Sequence, residues 1–174
     1  AFGGRTLRND KKVAKYINSP ETDVYHKSKI VYGIYQAKSE IIKKDNCFVV
    51  EGYTDVVSLH QAGIHNVVAS SGTSLTVEQI RLIKRYSNNL TIMYDGDDAG
   101  IKASFRGIDL VLEEGMNVRT VLFPDGEDPD SYSKKLDQVE LEEFITENSK
   151  DFIQFKTQVL VDETKGDPVK TAGL

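Results

Sequence analysis

Residues 47–55 read Cys47-Phe48-Val49-Val50-Glu51-Gly52-Tyr53-Thr54-Asp55. Four apolar residues in succession, three of them aromatic or β-branched, make the pattern of a strand buried on both faces. The run stops at a carboxylate and a glycine, and beyond it Val56, Leu59 and Ala62 recur at helical spacing until Gly63 ends the helix. The same figure repeats down the chain. Residues 66–70 pass through Ser70-Ser71-Gly72-Thr73-Ser74 into a helix carrying Ile80 and Ile83, with Thr76 and Gln79 at capping-box spacing. Residues 90–94 end in Asp95-Gly96-Asp97 and precede a helix that stops at Gly115. Residues 118–123 lead through Pro124 and Gly126 to Asp128-Pro129-Asp130. Strands alternating with helices in this way predict an α/β fold on a parallel four-stranded sheet with flanking helices and right-handed crossovers.

Upstream of this unit lies a segment of different character. Residues 1–45 hold ten Lys or Arg against five Asp or Glu, whereas the rest of the chain holds twelve against twenty-two. A net charge of -5 for all 174 residues therefore conceals a basic arm beside an acidic body. Such an arm suits phosphates, and such a body suits divalent cations. The arm opens with a Gly3-Gly4 turn, runs through lysines and arginines to Lys15, and continues irregularly past Ser19-Pro20. From about Ser28 to Lys44, Ile30, Ile34, Ala37 and Ile41 predict one helix. Downstream, residues 139–146 and 152–163 read as helices, the second with Phe152, Phe155 and Val159 on one side. The organisation expected is a basic arm and helix over 1–45, a sheet domain over 46–136, and the start of a helical segment over 137–174. A first residue other than methionine, and Pro168 in what reads as the first turn of a new helix, suggest a piece of a longer protein.

No apolar run approaches the ~20 residues needed to span a membrane, and the chain reads as cytoplasmic, with no membrane partner. Its single cysteine, Cys47, lies inside a predicted strand and reads as a small buried apolar residue. His26, His60 and His65 are scattered and read as surface or capping residues.

Three strands thus deliver carboxylates just past their carboxyl ends, the edge at which open α/β sheets bind ligands. On an extended segment, residues i and i+2 share a face, so Asp95 with Asp97, and Asp128 with Asp130, are each expected as an all-oxygen pair. Together with Glu51 they would suit Mg²⁺ or Mn²⁺, which complete their shells with water and substrate phosphates. An EF-hand starting at Asp95 is excluded by Ala99 and Arg106 at its fifth and twelfth positions. No Walker loop or dinucleotide fingerprint is present. Gly72 and Thr73, before a helix N-terminus, form a candidate phosphate loop.

The motifs EGYTD (51–55), DGDDAG (95–100) and GEDPD (126–130) resemble those of the Toprim domain shared by primases, topoisomerases and some nucleases. AFGGR (1–5), KYINSPET (15–22), YHK (25–27) and SSGTSLT (70–76) narrow the resemblance to the bacterial replicative DNA primase family. It implies RNA primer synthesis on single-stranded DNA from ribonucleoside triphosphates by metal-assisted nucleotidyl transfer. It further implies Glu51, Asp95 and Asp97 as metal ligands, with Asp55, Asp128 and Asp130 completing a catalytic acidic site. By the same likeness Lys15, Asn18 and Lys27 would bind template or nucleotide. Zinc is expected only in an amino-terminal module absent from this sequence, and the contact with the replicative helicase only in a region after Leu174. The alternatives are a Toprim nuclease and a non-catalytic DNA-binding recombination mediator.

Overall fold

The computed structural model describes residues 1–6, 16–70, 74–95 and 107–163. Its centre is a five-stranded sheet. Strand β3 (Cys47–Val50) pairs in parallel with β4 (Val67–Ala69) on one side and β5 (Asn89–Tyr94) on the other; β5 pairs in parallel with β6 (Asn117–Leu122). The parallel strands expected from sequence are therefore present, each within one residue of its expected limits. The sheet also has a fifth, two-residue strand, β7 (Lys150–Asp151), antiparallel to β6 at its outer edge. Arg119 secures that turn by donating to Ser149 Oγ at 2.7 Å and to its carbonyl at 2.6 Å.

Both faces of the sheet are covered. Helices α1 (Ile34–Lys44), α3 (Val77–Lys84), α4 (107–113) and α7 (Phe152–Glu163) bury Ile41, Ile80, Ile83, Ile108, Val111 and Phe155 on one face. Helices α2 (Tyr53–Gln61), α5 (Pro129–Ser133) and α6 (Gln138–Asn148) bury Leu59, Leu141 and Ile145 on the other, with Phe123 packed against Tyr132 and Phe144. Each such side chain, fully buried, contributes about 2 kcal/mol by removal from water. This double covering explains why β3 and β4 read as unbroken apolar runs. Cys47 is fully buried in β3, and its thiol pKa is pushed up by that burial.

The arm departs from the sequence reading in two places. Residues 1–18 are not wholly irregular, because β1 (Gly3–Arg5) pairs antiparallel with β2 (Tyr16–Asn18). The helix expected from Ser28 is also broken. Lys27–Lys29 form a separate 3₁₀ turn, and Tyr32 pairs with Ala69 through hydrogen bonds of 2.9 and 3.0 Å. Gly33 then turns left-handed at φ 83°, and α1 begins only after it. A side chain at Gly33 would also crowd Val56 Cγ1 at 3.2 Å. The periodic residue Ile30 is thus not helical, because its neighbour Tyr32 is held by the sheet edge instead.

Candidate active site

The helix after β3 covers one face of the sheet, while those after β4 and β5 cover the other. Neighbouring strands β3 and β5 therefore send their chains in opposite directions, and a crevice opens between their carboxyl ends. Glu51 leaves β3 and Asp95 leaves β5 at this point. A cavity of about 280 Å³ lies there, lined by Glu51, Ser70, Ser74, Tyr94 and Gly107 among others. Tyr94 is buried, and both burial and the Glu51 charge push its phenol pKa up.

Asp55 sits one turn into α2, where its Oδ2 accepts the Gly52 N–H at 3.0 Å and closes the helix start. That bond favours the carboxylate, yet the Asp55 pKa is raised to about 7. Burial is the largest cause, and the charges of Asp128, Asp95 and Asp130 add to it. Three carboxylates from two other segments, the end of β5 and the start of α5, are thus close enough to oppose the ionisation of one buried acid.

Asp128 and Asp130 reach this edge in a different manner from that expected. They are not an extended pair. Asp128 is the N-cap of α5, with Oδ1 accepting the Ser131 N–H at 2.6 Å, and Pro129 fills the first helical position. Asp130 lies inside the first turn, where its Oδ1 accepts from Ser58 Oγ of α2 and from Lys134 Nζ at 2.7 Å. Helix geometry, not strand alternation, sets their directions.

The arm supplies a second cavity of about 340 Å³, lined by Phe2, Asn18, Tyr25, Lys27, Tyr32 and Tyr53 among others. Tyr53, two residues past Glu51, donates its hydroxyl to Asn18 Oδ1 at 3.1 Å and tilts its ring against Tyr32 at 5.6 Å. Gly3 permits this approach, since a Cβ there would lie 2.8 Å from the Tyr53 hydroxyl. Tyr53 therefore joins the arm cavity to the acidic edge.

Of the residues singled out from sequence, Glu51, Asp55, Asp95, Asp128 and Asp130 gather at one end of the sheet, and Asn18 and Lys27 share the arm cavity. Asp97, Lys15, Gly72 and Thr73 lie outside the described residues. Among the described residues no group of three or more acidic, histidine or cysteine side chains is arranged to hold a metal ion. Sequence reasoning left Tyr25, Tyr32, Tyr53 and Ser58 unassigned. Tyr53 carried a signal in its place inside the acidic motif, and Tyr25 in its place beside Lys27 in the YHK motif. His60 and His65, which read as unrelated, have their rings in edge contact at 4.3 Å between centroids, away from this edge beside Ser133 and Asp137.

Residues 48–133 match the family model described as Toprim-like, and residues 1–38 match that of the DNA primase catalytic core, N-terminal domain. The chain is 44% identical over 156 residues to the DNA primase of Halalkalibacterium halodurans, covering 90% of this chain and 26% of that protein. The crystal structure of a DNA primase domain from Pseudomonas aeruginosa superposes with a TM-score of 0.83 at 40% identity, over 92% of this chain and 50% of that one. A DnaG primase catalytic domain bound to ssDNA superposes at 0.80 with 40% identity, over 92% and 52%. The chain thus spans about a quarter of the curated relative and half of the solved domains. Two family models matched in order along one chain, with an acidic crevice inside the second, place it: the chain belongs to the bacterial DNA primase family, as part of the Toprim-containing catalytic core.

Proposed function

We propose that this chain carries the nucleotidyl-transfer site of a primase, a DNA-dependent RNA polymerase that makes RNA primers on single-stranded DNA from ribonucleoside triphosphates during replication. The observation that carries the reading is the convergence of Asp95, Asp128 and Asp130 on buried Asp55 at the crevice where Glu51 ends β3.

Glu51, Asp95 and Asp97 are the residues that would hold divalent ions. Their hard oxygen donors suit Mg²⁺ or Mn²⁺, and the crowding that raises Asp55 is the kind a cation relieves. Bound there, such ions would offset the charge that develops on the α-phosphate and the departing pyrophosphate and would make the attacking 3′-hydroxyl more acidic. Asp55 closes α2 and keeps Glu51-Gly52 in its turn. Asp130, held by Ser58 and Lys134, fixes the α5 side of the crevice. The arm cavity suits a nucleotide: aromatic rings of Phe2, Tyr25, Tyr32 and Tyr53 border it, Asn18 offers an amide, and Lys27 offers a cation. Its volume falls at the lower end of small-ligand pockets.

Within this proposal 1–45 serves as the nucleotide- and template-binding arm, 46–136 as the Toprim domain, and 137–174 as the start of a helical segment. Template single-stranded DNA and, elsewhere in the parent protein, the replicative helicase are the partners, in the cytoplasm. Among the described residues no helix is long and apolar enough to cross a membrane. The test is RNA synthesis on single-stranded DNA with ribonucleotides and Mg²⁺, using the gene product in full beside its Asp95→Asn variant. Short RNA made only by the unaltered protein supports the reading. Cut DNA would replace it with a nuclease, and DNA bound without either product would leave a binding module.

A further inference from the structure

Gln79 is fully buried, yet each polar atom of its side chain is engaged. Its Nε2 donates to the carbonyls of Ile30 at 2.8 Å, Lys27 at 3.1 Å and Ser70 at 3.3 Å, and its Oε1 accepts the Thr76 N–H at 3.1 Å. The amide orientation is fixed by chemistry, since three carbonyls need a donor and one N–H needs an acceptor. Thr76 adds a tie from the same helix start, with Oγ1 donating to Ser28 O at 2.5 Å. The first turn of α3 therefore grips three of the four carbonyls in 27–30, the segment that carries Lys27 into the arm cavity. The same amide grips Ser70, which lines the cavity between β3 and β5.

Two cavities from different parts of the chain are thus referenced to one side chain. We infer that Gln79 is a positioning residue: it sets the height of Lys27, and with it the arm cavity, relative to the acidic crevice, so that a nucleotide held by the arm meets the reacting end in register. The inference rests on the proposed nucleotide role of Lys27. Capping alone does not account for the arrangement, because a cap needs only the bond to Thr76, whereas Nε2 divides its two hydrogens among the carbonyls of Lys27 and Ile30, 52 and 49 residues away in sequence, and the longer contact to Ser70. A buried side chain with every bond satisfied across three segments rigidifies what it joins.

The test is a double-mutant cycle on nucleotide binding, with ATP and Mg²⁺ titrated into the unaltered chain, Lys27→Ala, Gln79→Met and the double variant. Methionine keeps the volume and removes the hydrogen bonds. Gln79→Met is expected to weaken ATP binding about three- to ten-fold, to speed amide exchange in residues 27–30, and to add nothing once Lys27 is gone. Thr76→Asp, which keeps the cap acceptor but cannot donate to Ser28, repeats the cycle should Gln79→Met fail to fold. If Lys27→Ala weakens binding while neither α3 variant does, Gln79 has no positioning role. Losses that simply add would equally overturn it, since they mark a general stabiliser. An Lys27→Ala variant that binds as the parent does would instead refute the nucleotide role of the arm.

Discussion

Asp55 combines burial, a helix-closing bond to Gly52 and three nearby carboxylates, and the pH dependence of the fold follows from that surrounding. Its folded pKa of about 7 lies above the ordinary value of 3.8, so the folded chain prefers the neutral acid. Its contribution is complete below about pH 4, where folded and unfolded chains both hold the proton, and is lost as pH rises toward 7. In metal-free buffer Asp55→Asn should accordingly be more stable than the parent at pH 8, by on the order of 2 kcal/mol, and melt higher, with the gap closing near pH 4. A gap of equal size at both pH values would show that folding does not raise the Asp55 pKa. At this scale the sequence brought Glu51, Asp55, Asp95, Asp128 and Asp130 to one sheet edge but did not show how they are held there. The signal for Asp128 was nonetheless local: Asp-Pro-Asp-Ser is an N-cap, a proline at the first helical position and a capping partner three residues on. Reading the acids as a strand extension missed it. The aromatic border of the arm cavity was not legible as a border, because Phe2, Tyr25, Tyr32 and Tyr53 meet only through tertiary folding.

The elements were more legible than their joints. Strands β3 and β5 are buried on both faces and announce themselves as largely apolar runs, and the Thr76/Gln79 capping box starts α3 where its spacing says it should. The joint before α1 was missed, because what breaks the helix is a pairing between Tyr32 and Ala69, thirty-seven residues apart. Gly33 makes that joint possible. Gly33→Ala must hold a left-handed backbone at φ 83° with its methyl 3.2 Å from Val56 Cγ1 and 3.4 Å from Val67 O. It should cost about 1–3 kcal/mol, seen as a lower urea midpoint with an unchanged slope. A midpoint equal to that of the parent would mean that the joint relaxes freely.

At the scale of the whole molecule the charge is divided between a basic arm and an acidic body. The basic arm and the acidic sheet edge meet at Tyr53, so substrate phosphates and the cations that accompany them would be drawn to adjoining sites. If the acidic edge binds Mn²⁺ in the folded chain alone, the melting temperature must climb with Mn²⁺ concentration, the fold gaining about 2.7 kcal/mol at a hundredfold excess over the dissociation constant. Asp95→Asn should lose most of that rise, and NaCl at matched ionic strength should not reproduce it. A rise undiminished in Asp95→Asn would move the cation elsewhere. The short bridge from Tyr32 has a separate consequence, for colloidal behaviour. It occupies the outer side of β4 at Ala69, where an open parallel sheet would otherwise offer free amides to a strand from another molecule. The opposite border ends in the two residues of β7, too short a template for strand addition. With both borders blunted, the sheet resists edge-to-edge aggregation although its central strand β3 is wholly apolar.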